Sequence, residues 1–157
     1  MTSGSQSASS RERTIASYTI SDDPARLDLR AIHAYLSRSY WSAGIPFELV
    51  ERAVKSSLCI GAYDSAGAQV GFVRLISDCA TFCYVCDVYV LEDHREKGLS
   101  KAMLAMAIDH PKLQGLRRWS LVTADAHDLY RQFGFKALAH PERHMERHDP
   151  DIYRPKR

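Results

Sequence analysis

The stretch "LEDHREKGLSKAML", residues 91 to 104, sets Arg95, Lys97 and Lys101 around a glycine and a serine, between a β-branched run and an apolar run rich in alanine and methionine. A strand ending at Leu91, a donor-rich loop and a helix starting near Ser100 together make an anion site. Backbone N–H groups at a helix N-terminus are unpaired and aligned with the helix dipole, so a phosphate or pyrophosphate fits there. Gly98 lets the backbone approach the anion with no Cβ in the way. The three cations add charge, which Glu96 partly offsets. The same residues also suit a plain capped loop between strand and helix. Their order is neither G-x-x-x-x-G-K-[ST] nor G-x-G-x-x-G.

Two other groups of residues raise the question of metal. The four cysteines are Cys59, Cys79, Cys83 and Cys86, three of them close together in what reads as a hairpin. Cys83 and Cys86, three apart on a strand, point to opposite faces, and no second C-x-x-C or paired-His module accompanies them. They read as small buried hydrophobes of a reducing compartment rather than as zinc ligands. His140, His144 and His148 recur every four residues, which on a helix would form a metal-binding stripe. Pro141 and Pro150 bracket that stretch, and no metal is expected.

The elements that position the loop follow from periodicity. Residues 1–13 are serine-rich and nearly devoid of apolar side chains, which predicts a disordered tail ahead of one domain over 14–157. Thr14 to Ile20 reads as a strand and "SDDP" as a helix start, with Leu27, Leu29, Ile32, Tyr35 and Leu36 on the inner face. Gly44 and Pro46 break the pattern before "FELVERAVKSS" resumes helical spacing with Phe47, Val50 and Val54. "LCIGAYD", "QVGFVRLISD" and "TFCYVCDVYVL" are strand-like runs joined by short turns, hence an antiparallel meander. "SKAMLAMAIDH" reads as a helix stopped by Pro111, "RRWSLVTA" as a strand, and "DAHDLYRQFGF" as a short helix with Asp125 as N-cap and Gly134 at its end. Phe135 to Leu138 reads as a last strand. The order βααβββαβαβ predicts a layered α+β (α/β) domain with a mixed, mostly antiparallel sheet flanked by about four helices.

Composition narrows the function classes. Hydrophobic residues make up 45% and charged residues 25% of the 157 residues, an ordinary globular balance. Net charge is +2, from 21 basic against 19 acidic residues, too weak a field to argue for nucleic acid. No run approaches the roughly 18 apolar residues of a membrane span, and the polar first residues lack a secretory core. The reading is a cytoplasmic protein without a membrane or nucleic-acid partner.

"Arg95-Glu-Lys-Gly98-Leu-Ser100", following "CDVYVLEDH", resembles the R/Q-x-x-G-x-G/A signature of the GNAT acyltransferase superfamily. "Asp125-Ala-His-Asp-Leu-Tyr130-Arg-Gln-Phe-Gly134-Phe135" resembles that family's A-x-x-L-Y-x-x-x-G-F element. The likeness runs from about Tyr18 to Met145, and "SYWSAGIP", "SLCIGAYD", "CDVYVL" and "HPKLQGLRRWSL" are similar to small single-domain bacterial members. Ser100 stands where the family usually has Gly or Ala, Thr123 where many members have Asn, and His144 where related sequences often have tryptophan.

The resemblance implies an acetyl-CoA-dependent N-acetyltransferase acting on a small-molecule amine or a protein amino group, and a homodimer. The pyrophosphate of coenzyme A would lie on the backbone of Arg95, Glu96, Lys97, Gly98, Leu99, Ser100 and Lys101. The pantetheine arm would hydrogen-bond to Val88, Tyr89 and Val90 like an added strand, and an N–H near residue 88 would face the thioester oxygen. Tyr130 would be the general acid for the departing sulfur. Asp87 is the carboxylate placed to act as general base, with His127 a second candidate by its ordinary pKa. Tyr40, Trp41 and Phe47 would recognise the acceptor unless they are core. The family also implies a C-terminal segment lying on the surface and anchored by Met145. The competing reading is a non-catalytic acyl-CoA-binding regulatory module.

Overall fold

The computed structural model describes residues 9 to 156. Six strands form one sheet in the order of the sequence: β1 (Glu12–Ile15), β2 (Tyr18–Ser21), β3 (Leu58–Tyr63), β4 (Gln69–Ser77), β5 (Phe82–Val90) and β6 (Arg118–Leu121). Neighbours run antiparallel through β5, and β6 then joins β5 in parallel. Parallel pairing needs a crossover, and helix α3 (Leu99–Ile108) supplies it.

Two helices, α1 (Leu29–Leu36) and α2 (Phe47–Lys55), cover one face of the sheet, where Ile32, Leu36, Val50 and Val54 close over Cys59, Phe72 and Tyr89. On the other face Leu99, Met103, Leu104 and Met106 of α3 pack on Ile20, Ile60, Val73, Leu75 and Val85. The short helix α4 (His127–Arg131) adds Tyr130 to that second cluster. The predicted layered architecture and the meander of β3, β4 and β5 are both found.

Several local expectations are corrected. The stretch from Thr14 to Ile20 is not one strand: Ala16 takes a left-handed φ of 50° and turns the chain into the β1–β2 hairpin. That hairpin begins at Glu12, so Glu12 and Arg13 are strand residues rather than tail, while residues 1 to 8 of the expected tail lie outside the described residues. The first helix is split. Pro24–Arg26 forms a 3-10 turn, Leu27 returns to extended backbone, and Asp28 then caps α1 by accepting from the Ala31 N–H at 3.0 Å. Such a cap contributes about 1 kcal/mol.

The last predicted strand is absent: residues 135–138 take no regular form, and Phe135 instead packs edge-on against Tyr130 with ring centroids 5.9 Å apart. Asp125 is not the cap of α4. Thr123 Oγ1 accepts from the Ala126 N–H at 3.1 Å, so the loop is closed by a hydroxyl two residues earlier.

Cys83 is buried in the α3 face and Cys86 is half-buried on the opposite face, while Cys59 is buried and Cys79 exposed in the β4–β5 turn. His140 and His144 flank a 3-10 turn at Pro141–Arg143 and do not share a helix face with His148. No helix among the described residues is long and apolar enough to cross a membrane.

α3 packs tightly on the sheet at Gly71, where an added Cβ would lie 3.0 Å from Met103 Cε, 3.1 Å from Ala62 Cβ and 3.3 Å from the Tyr89 carbonyl oxygen. Both side-chain neighbours are fully buried and have nowhere to go. Gly71→Ala is therefore expected to destabilise the fold by about 1–3 kcal/mol through overpacking, read as a lower midpoint in urea with an unchanged slope.

Candidate active site

The site is made by a defect in the sheet. Arg74 pairs with Cys86 and Phe72 with Tyr89, so Asp87 and Val88 together stand opposite Val73. This is a β-bulge, with Asp87 at φ 51°. The extra residue keeps Asp87 on the same face as Cys86 and bends the rest of β5 away. On its other side β5 pairs with β6 only from Phe82 to Val85. Beyond that point the two strands separate, and the edge of β5 from Cys86 to Val90 has no strand partner there.

Asp87 holds the bulge in place. Its Oδ2 accepts from Arg74 Nε at 2.6 Å and its Oδ1 from Trp41 Nε1 at 2.9 Å. The side chains of Arg74 and Asp87 are 16% and 8% exposed, so the pair is poorly screened. Burial works against the Arg74 charge, yet Asp87 outweighs it and leaves the guanidinium more basic than usual. Trp41 ties the chain between α1 and α2 to the bulge.

A groove of about 1250 Å³ runs along the splayed edge. It starts at Tyr130, Thr123 and Tyr40, passes Cys86, Asp87 and Val88, and ends at Glu96, Gly98, Ser100 and Lys101. At that end Gly98 has φ 77° and heads α3 without a side-chain cap. The first intrahelical bond runs from Ala102 N–H to the Gly98 carbonyl, so the N–H groups of Leu99, Ser100 and Lys101 have no partner within the helix. An added Cβ at Gly98 would meet nothing within 4 Å, which leaves the loop open to a bulky anion.

The residues singled out from sequence divide as follows. Val88, Tyr89 and Val90 lie along the groove, with Tyr89 and Val90 themselves buried. Glu96, Gly98, Ser100 and Lys101 line the end at α3, whereas the Leu99 side chain is core and Lys97 lies outside the lining. Arg95 is on the lining and exposed, but its guanidinium is engaged: its Nε donates to the Val90 carbonyl at 3.0 Å and Nη2 to Tyr35 Oη at 3.2 Å. It braces the loop.

Tyr130 is 8% exposed on the groove wall, and burial, with Tyr40 and Asp125 nearby, pushes its phenol up to about 12. Tyr40 and Trp41 flank the groove, but Phe47 packs edge-on against His33 at 5.5 Å and lines no part of it. His127 is exposed on α4 and is also outside.

Sequence reasoning missed several lining residues. Arg74 is the clearest, because a lone cation inside the apolar run "QVGFVRLIS", across a short hairpin from Asp87, is a readable signal. Tyr35 stacks on Tyr89 with centroids 3.9 Å apart, and Arg38 covers Tyr35 at 4.5 Å while pairing with Glu92. Glu146, Arg147 and His148 border the groove from the C-terminal segment. That segment is not anchored by Met145, which is 98% exposed. Tyr153 does the anchoring, its carbonyl oxygen lying 3.3 Å from where a Cβ at Gly44 would stand.

Comparisons with known proteins bear on the family and the fold. A family model described as the acetyltransferase (GNAT) domain matches residues 54–137. A Gibberella zeae protein described as a candidate acetyltransferase is 34% identical over 146 residues, covering 78% of this chain and 81% of the relative. A crystal structure from Xanthomonas campestris pv. campestris, described as a candidate acetyltransferase of the same family, is 45% identical with a TM-score of 0.86, over 90% of this chain and all of that one. A structure from Deinococcus radiodurans at 18% identity and a TM-score of 0.69, over 88% of this chain and 93% of that one, shares the fold.

If the uncapped start of α3 is an anion cradle, a methyl group at residue 98 stands where the anion would lie, on backbone strained by a left-handed φ. Gly98→Ala is expected to weaken coenzyme A binding at least tenfold in calorimetry while the melting temperature moves by only a few degrees. Unchanged affinity would remove the loop from the binding site.

Proposed function

The chain belongs to the GNAT acetyltransferase family, and from that premise we propose that it transfers an acetyl group from acetyl-CoA to a primary amine by direct attack, with Tyr130 as general acid. The observation that carries this reading is the position of Tyr130 on the same groove as the bulged strand and the uncapped start of α3.

The residues fit coenzyme A at two places. The unpaired N–H groups of Leu99 to Lys101, with Lys101 beside them, suit a pyrophosphate. The free edge of β5 from Cys86 to Val90 offers peptide groups to the amides of the pantetheine arm. Ser100 fits this role through its backbone. Holding the thioester between these points converts a bimolecular encounter into an oriented one.

Transfer then needs a developing negative charge to be met and a proton to reach the leaving sulfur. The amine nitrogen bonds to the carbonyl carbon, the carbon–sulfur bond breaks, and the thiolate takes the Tyr130 proton. A phenol held near 12 would be a poor donor to a thiolate of ordinary basicity, near ~8.5. Alignment offsets the mismatch: a phenol held against the sulfur gives up its proton as the carbon–sulfur bond breaks, so distance matters more than acidity. Asp87 keeps free lone pairs on both oxygens beyond its bonds to Arg74 and Trp41, and it accepts the amine's proton.

Tyr130→Phe is expected to lower kcat about a hundredfold or more with acetyl-CoA affinity unchanged. Because the phenol is raised, its proton is present at neutral pH, and ionisation of Tyr130 lowers kcat only as pH approaches about 12. The linked stability has the same sign: full below pH 10, and lost as pH rises toward 12. A wild-type kcat in Tyr130→Phe would take Tyr130 out of the mechanism. Tight acetyl-CoA binding without turnover of any amine would instead favour a non-catalytic acyl-CoA-binding module.

A further inference from the structure

The Arg74–Asp87 pair has a second cavity on its other side. This space, of about 500 Å³, lies between α2 and the sheet and shares only Ser42, Arg74 and Asp87 with the groove. Its volume suits a small ligand of the size of an amino acid or dipeptide. Leu36, Val50 and Val54 form a buried floor, with Ile45 and Leu49 partly buried beside them. Its charged lining consists of two guanidinium groups, Arg52 and Arg74, and one carboxylate, Asp87.

These features select among amines. The apolar floor stabilises a hydrocarbon body by removing it from water. Asp87, common to both cavities, is where an amine can stand at the border of the groove. Arg74 commits Nε to Asp87 and Nη1 to Ser57 Oγ at 3.2 Å, which keeps Nη2 for an anion. A polycation would meet two like charges against one carboxylate.

Resting on the acetyl-transfer reading, we infer that this cavity is the acceptor site and that the acceptor is an α-amino acid with an apolar side chain. Its amine is held by Asp87, its carboxylate by the guanidinium groups, and its side chain by the α2 floor. The other product is N-acetyl amino acid, which lacks the basic nitrogen that Asp87 holds and so leaves readily.

The test is thiol release at saturating acetyl-CoA over matched pairs of acceptors: leucine against isopentylamine, phenylalanine against phenethylamine, with spermidine as a polycation. Acetyl-CoA binding is measured separately by calorimetry. The expected result is a kcat/KM at least tenfold higher for each amino acid than for its decarboxylated partner, and the lowest value for spermidine. Ala53→Phe, which fills the cavity from α2, should raise the KM for leucine at least tenfold without changing acetyl-CoA affinity. Arg52→Gln should narrow the gap between leucine and isopentylamine. Equal or better rates with the bare amines or spermidine, or an unmoved KM in Ala53→Phe, would each overturn the acceptor assignment while the transfer observed leaves the acetyl-transfer reading standing. Bound acetyl-CoA with no transfer to any of the five amines would overturn the acceptor assignment and favour the non-catalytic module. Failure to bind acetyl-CoA would overturn both.

Discussion

The contact between Arg74 on β4 and Asp87 on β5 is the constraint on which the site rests. A bulge with a non-glycine residue at positive φ is strained by about 1–3 kcal/mol and persists only when its surroundings hold it. Here a mostly buried carboxylate is held by a guanidinium and an indole N–H. Such a pair adds little net stability against an apolar replacement, yet losing one partner strands the other charge at a cost of about 3–5 kcal/mol. The pair therefore acts as a lock. It fixes where β5 leaves the regular sheet.

Everything functional is arranged around that departure. Because β5 bends, its edge parts from β6 and leaves a slot of unpaired peptide groups. Because α3 follows β5 directly through the loop that Arg95 braces, its uncapped N-terminus lies at one end of the slot. Because the β6–α4 connection crosses the other end, Tyr130 stands on the opposite wall, steadied by the edge of Phe135. The Trp41 bond carries the same constraint to the α1–α2 connection. One bulge thus positions the groove and the wall of the second cavity.

The two cavities differ in character. The groove is the larger, about 1250 Å³, and follows the free edge of β5. The second cavity is compact and floored by the apolar face of α2. Residues 146–153 of the C-terminal segment run past both, with Tyr153 seated against Gly44. The backbone hydrogen bonds found for it stay within the segment.

The sequence by itself determined the elements with strong periodicity: the three-strand meander, α2, α3 and the loop with Gly98, whose patterns are local. It also marked Tyr130 and Asp87, through motifs that survive as short strings. What failed was set by competition between distant parts. Residues 135–138 have strand-like composition but lie by Tyr130 as packing, and Phe47 has an inner-face spacing but meets His33 instead of the site. The roles of Arg74, Tyr35 and Tyr153 belonged to the tertiary structure alone, because each depends on a partner many residues away. So did the bulge: an alternation of side chains reads the same with or without one extra residue, and only pairing with β4 decides which face Asp87 takes.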